Sequence, residues 1–124
     1  MILTVFRSRL RPGAQQEYGA MAARMSELAK SMPGYIAHKG FVAEDGERVT
    51  IVEFESEDAL RQWRIHPEHV EAKRHGAGHF FGEYRVQICT VTRDRAWTVE
   101  GGRVPVPDDQ RDVISKGRDD PSNG

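Results

Sequence analysis

Three features of this 124-residue chain predict an α+β fold of the split βαβ, or ferredoxin-like, kind. Strand-period and helix-period stretches follow one another in the order β-α-β-β-α-β. The first helical stretch has apolar residues at three-and-four spacing, so it buries one face. The later strands hold apolar residues on both faces at their centres: Ile51 against Val52 and Phe54, and Ile88 against Cys89 and Val91. The first two features give a four-stranded antiparallel sheet with the helices on one face. The third requires cover for the other face, because a sheet with one wet face alternates cleanly. The sheet of a second copy is the economical cover, so a homodimer is expected.

The first strand is expected over residues 2–10. Ile2, Phe6 and Leu10 point one way, with Leu3 and Val5 the other. Arg11-Pro12-Gly13 is a turn, and a helix follows to about Met32. Its row is Ala14, Tyr18, Met21, Ala22, Met25, Leu28, Ala29 and Met32, and methionines at this spacing read as core. Pro33-Gly34 stops the helix. A hairpin follows, with strands over 35–42 and 48–55 turning at Glu44-Asp45-Gly46. Ser56 is a good N-cap for a second helix that carries Ala59, Leu60 and Trp63 inward. His66-Pro67 breaks it, and Pro67 opens a short helix that ends at Gly76 and Gly78. The last strand is expected over 84–92.

From about Gly101 the chain turns rich in Gly, Pro and Asp and cannot build a core. The expected organisation is one domain over 1–100 and a tail over 101–124. That tail is either flexible or an arm that lays Val104, Val106, Val113 and Ile114 on a partner subunit.

Composition narrows the function. The net charge of -1, with no basic run, points away from nucleic acid. No apolar run approaches the roughly 18 residues of a membrane span. MILTVF meets Arg7 and Arg9 too early for a signal sequence, and the single Cys89 suits a reducing compartment. The cytoplasm is the expected location. The sequence carries no phosphate-binding loop, GxGxxG, nucleophile elbow or CxxC. An oxidoreductase of this kind would work without a Rossmann-bound cofactor.

Residues 52–84 hold four of the five histidines. His75 and His79 have zinc-helix spacing, but Gly76 and Gly78 weaken any helix there, and no metal site is expected. His66 reads as a cap before Pro67. His69 sits beside Val70 and is the histidine most suited to face inward as a base, with His66 second. Trp63 reads either as core or as a wall that stacks on a flat ligand. Phe80-Phe81 either closes a pocket or packs. Arg7 and Arg9 lie opposite Phe6 on the first strand and are expected to pair with acids such as Glu53 or Glu55 on another strand.

These residues carry a resemblance. MILTVFRSRL, MPGYIAHKGF, DGERVTIVEFES, DALRQWRIHPEHVEAKRHG and YRVQICTV together resemble the antibiotic biosynthesis monooxygenase (ABM) domain family over about residues 1–95. The most specific part is IVEFESEDALRQW followed by HPEH. The resemblance implies a dimeric α/β barrel in which two ferredoxin-like sheets pack face to face. It also implies one of several activities: cofactor-free oxidation of aromatic polyketides or quinols by molecular oxygen, haem degradation, or cyclisation and isomerisation. The haem-degrading branch uses a first-strand Asn, a Trp and a His. Trp63 matches the Trp, but the other two positions fall at Ser8 and Lys73, so haem is not expected. The resulting expectation is a cofactor-independent monooxygenase for an aromatic polyketide-like or quinol substrate. Trp63, Phe6, Ser8, Phe54, Phe80 and Arg7 would contact that substrate, and His69 or His66 would be catalytic. A non-catalytic dimeric small-molecule-binding protein and a polyketide cyclase or isomerase are the alternatives.

Overall fold

A computed structural model of the chain describes residues 1–104. It divides into two compact units, residues 2–89 and a second unit of Met1 with the residues from 90 onward. The first contains β1 (Ile2–Leu10), α1 (Gln15–Lys30), β2 (Tyr35–Val42), β3 (Arg48–Phe54), α2 (Glu57–Arg64) and α3 (Pro67–Gly76), and nearly all of β4 (Phe81–Thr90). The strand order β2-β3-β1-β4 is that of an antiparallel ferredoxin-like sheet, as the pattern predicts.

Register fixes which side chains share a face. Ile2 lies opposite Phe54, Thr4 opposite Val52, Phe6 opposite Thr50 and Ser8 opposite Arg48. Phe54 is fully buried and packs with Ile2, Ala29, Leu60 and Trp63, so this is the face under the helices. Met25 and Met32 pack against the same core. The other face carries Leu3, Val5, Val49 and Ile51, with Phe41 opposite Val49. Burying Phe54 alone is worth roughly 1.5–3 kcal/mol. The core is small, and the histidines and most aromatics lie beside it rather than in it.

Local signals place the helices. The Ser56 hydroxyl accepts the Ala59 N–H at 3.1 Å, with Glu57 and Asp58 in the positive first turn. Ser56→Ala is expected to cost about 1 kcal/mol, read as a melting point several degrees lower; an unchanged melting point would refute the cap. Gly34 sits at φ +82°, and a Cβ there would stand 2.5 Å from the Ala59 side chain. Glycine therefore serves both the turn and the close docking of α2. His66 caps α3: its Nδ1 accepts the Glu68 N–H at 3.2 Å. Arg24 of α1 holds Glu68 of α3 at 2.5 Å.

Two boundaries differ from the sequence expectation. β4 covers Phe81–Thr90 rather than 84–92. Its start is drawn to β1, where the Arg11 N–H donates to the Phe80 carbonyl at 2.7 Å, and Gly82 passes the Arg9 carbonyl. The helix expected to Met32 ends at Lys30, in a turn where Met32 N–H still bonds Ala29.

The second unit holds a hairpin the sequence pattern did not announce, β5 (Ala96–Thr98) paired antiparallel with β6 (Gly102–Val104). The turn is built by Gly102 at φ +61° and by the Thr98 hydroxyl, which accepts the Gly101 N–H. The expected contacts of Val106, Val113 and Ile114 lie outside the described residues.

Candidate functional site

The helix-facing row of β1 builds the site. In order it presents Ile2, Thr4, Phe6 and Ser8. Ile2 belongs to the core. The Phe6 ring stacks on Tyr84 at 5.8 Å and meets Phe81 edge-on at 5.4 Å. Tyr18 of α1 closes on Phe81 at 5.5 Å and Phe80 at 6.2 Å. Gly76, at the end of α3, lets these rings approach, since a Cβ there would lie 3.1 Å from Phe81. The result is a five-ring cluster of Phe6, Tyr18, Phe80, Phe81 and Tyr84, in which Phe80 is buried and Tyr84 is 55% exposed.

Polar groups edge this cluster. Ser8 is 2% exposed, and its hydroxyl and that of Thr4 are buried without a hydrogen-bond partner among the described residues. Such groups are rare in native structures because each forfeits its water without a replacement. Opposite Ser8, the Arg48 guanidinium lies over the Tyr18 ring, 5.7 Å from its centre. Burial pushes the Tyr18 phenol up, partly offset by the Arg48 charge.

A second group of residues forms around Trp63. This ring is 7% exposed and sits in the core. One of its faces is taken by His69, whose ring stacks on it at 3.9 Å and 13°. His69 Nδ1 lies 3.0 Å from the Trp63 carbonyl oxygen. A carbonyl only accepts, so Nδ1 carries the proton and Nε2 presents a lone pair. Burial lowers the His69 pKa to about 4, against a smaller opposing effect of that hydrogen bond. His69 is therefore neutral at pH 7, an acceptor of hydrogen bonds and a weak base.

The structure thus sorts the sequence candidates into groups. Phe6, Ser8 and Phe80 meet at the aromatic cluster. Trp63, Phe54 and His69 meet at the core end of the same face. His66 is held by its cap. Arg7 lies on the opposite face, bound by Glu47 through Nε at 3.0 Å. His79 pairs with Glu17 at 2.9 Å and stacks near His75. No cluster of three metal-ligating side chains occurs among the described residues.

Thr4, Tyr18, Arg48 and Tyr84 join this candidate site only in the folded chain. Tyr18 lies in the apolar row of α1, which is indistinguishable from core, and Arg48 gains meaning only from its register opposite Ser8. A groove of about 270 Å³ lies further along the helix side, lined by Glu57, Leu60, Arg61, Arg64 and Ile88 among others.

Comparison with known proteins adds family and fold. The family model described as antibiotic biosynthesis monooxygenase matches residues 1–75. The uncharacterized protein YqjZ of Bacillus subtilis (strain 168) is 36% identical over 78 residues, which is 63% of this chain and 68% of that one. Among solved structures, Rv0793 from Mycobacterium tuberculosis superposes with a TM-score of 0.68 at 20% identity, over 75% of this chain and 96% of that one. SnoaB from Streptomyces nogalater, described as a cofactor-independent oxygenase, gives 0.65 at 19% identity, over 75% and 94%. At these identities the structural likeness concerns the fold.

Proposed function

Because this chain belongs to the antibiotic biosynthesis monooxygenase family, we propose that it is a cofactor-independent monooxygenase acting on an aromatic polyketide-like or quinol substrate. The observation that carries the reading is the five-ring cluster, open at Tyr84 and edged by the unpartnered hydroxyls of Thr4 and Ser8. Flat aromatic rings and a few placed polar groups are what such a substrate needs. Phe6 and Phe80 wall the substrate, and Ser8 bonds one of its oxygens. Trp63 and Phe54 support the wall from the core. His69 accepts a hydrogen bond from a substrate hydroxyl at Nε2. Arg7 belongs to the opposite surface and His66 to the helix cap.

The chemistry needs no bound cofactor if the substrate is ionised. The anion gives one electron to oxygen, the two radicals combine as a peroxide anion, a proton from solvent makes it a hydroperoxide, and loss of water leaves a carbonyl. One oxygen atom enters the product and the other leaves as water. The protein binds, orients and dries the reacting carbon.

Oxygen uptake with a panel of hydroquinones and anthrones tests this. Uptake that saturates with one of them is expected, falling several-fold in His69→Gln, where the hydrogen bond accepted at Nε2 is lost. Product formed equally well without oxygen would indicate a cyclase or isomerase. Tight binding with no product would indicate a binding protein.

The proposal includes a homodimer with the second sheet face at its centre, since Leu3, Val5, Val49 and Ile51 line the face opposite the helix-covered core. Light scattering at micromolar concentration should give about twice the 14.0 kDa chain mass, because a sheet-on-sheet contact would bury well over roughly 1,200 Å². A stable monomer would end that part of the reading. No helix among the described residues is long and apolar enough to cross a membrane.

A further inference from the structure

We infer that Ser8 and Arg48 form an anion subsite at the edge of the aromatic cluster, selective for an aromatic ligand with an ionised hydroxyl. The inference rests on the site proposed above and names the form of substrate it takes.

Ser8 and Arg48 are direct partners across β1 and β3, on the face under the helices. Residues so placed have Cβ atoms about 4.5–5.5 Å apart. The register thus sets the two side chains side by side at one edge of the cluster. The Ser8 hydroxyl is buried with no partner among the described residues, though it has a proton to donate. Arg48 is half-buried and has no carboxylate partner among the described residues. Its neighbours differ: Arg7 is neutralised by Glu47, and Arg9 by Asp45. A half-buried cation without a counter-charge is costly, and an anionic ligand removes that cost. The cation–π contact with Tyr18, 5.7 Å from the ring centre, tethers the guanidinium at this edge. The adjoining rings of Tyr18, Phe81 and Phe6 offer the ligand's ring its apolar contact.

This placement answers a difficulty in the chemistry. His69 is too weak a base to hold a phenol proton near neutral pH. A cation within about 4–6 Å of a phenol lowers its pKa by about 1–3 units, and the proton then leaves to solvent. Arg48 would thus supply the electron-rich anion that oxygen chemistry needs.

The test is an absorbance titration of 4-nitro-1-naphthol, free and saturated with the full-length protein at low salt. The ionisation midpoint of the bound probe should fall by at least about one unit, a tenfold preference for the anion. In R48Q that displacement should vanish, and in R48K part of it should remain, with thermal melting used to confirm that both variants fold. Ser8→Ala should weaken binding several-fold. Failure to bind, a midpoint that does not move on saturation, or the same displacement in R48Q would overturn the inference. Oxygen uptake separates the two proposals. A displaced midpoint without uptake defeats the oxygenase reading and leaves the subsite standing. Uptake together with an unmoved midpoint does the reverse.

Discussion

Trp63→Ala is expected to lower the unfolding free energy by about 3–5 kcal/mol, enough to unfold much of the protein at moderate temperature. The ring fills the space between Ile2, Phe54 and Leu60, and neighbours on β1 and β3 cannot collapse into the hole without breaking the sheet register. A second effect follows from the same contact. His69 lies flat on Trp63, and burial is what lowers its pKa. Removing the indole admits water to the imidazole and should move its titration back toward the ordinary value near 6.5. Trp63→Phe keeps an apolar ring and should cost only about 1–3 kcal/mol, with His69 still low. Urea denaturation and an NMR titration of the His69 ring read the two effects separately. Near-wild-type stability in Trp63→Ala would show that the ring is a ligand wall and contributes nothing to the core.

Acid should destabilise the fold through His69 well above the carboxylate range. The unfolded imidazole takes a proton near pH 6.5, and the folded one only near 4. Between those values the unfolded state binds more protons, so stability rises with pH there. The contribution is fully present above about 6.5 and lost as pH falls toward 4. At 1.36 kcal/mol per unit the displacement corresponds to about 3 kcal/mol, and solvent contact of this half-buried ring reduces it to on the order of 2 kcal/mol. His38 works in the same direction, its pKa lowered by burial and then by Lys30, while its ring bridges Ser26 and Tyr35 at 2.6 Å each. Chemical denaturation at a series of pH values should show a rising slope from pH 4 to 6.5 that flattens in His69→Gln. An unchanged slope in that variant would remove His69 as its source. Turnover, by the same argument, should show no break near 6.5 arising from His69.

Much of the architecture is written locally. The alternation of Ile2, Thr4, Phe6 and Ser8 is a period-two signal, and the row through Met25, Leu28, Ala29 and Met32 is a helical one. Ser56 and Pro67 mark where helices begin, because a cap hydroxyl and a fixed φ act within one turn. The hairpin over 96–104 escaped notice because its strands have three residues each, too short for a period to emerge. Phe6 and Ser8 share one face of β1, with Phe54 and Trp63 at its core end.

What the sequence alone determined is the order of the elements, the helix starts, and which β1 side chains travel together. Those follow from forces acting over a few residues: backbone sterics, capping, and the burial of one stripe. Tertiary structure alone decided that Ser8 faces Arg48, that His69 covers Trp63, that Tyr18 joins the Phe80 and Phe81 rings, and that Glu47 is the acid that holds Arg7. Each of these depends on strand register or on helix docking across tens of residues. One register step would turn a whole strand over, and only the combined packing of the Phe54 core selects the observed one.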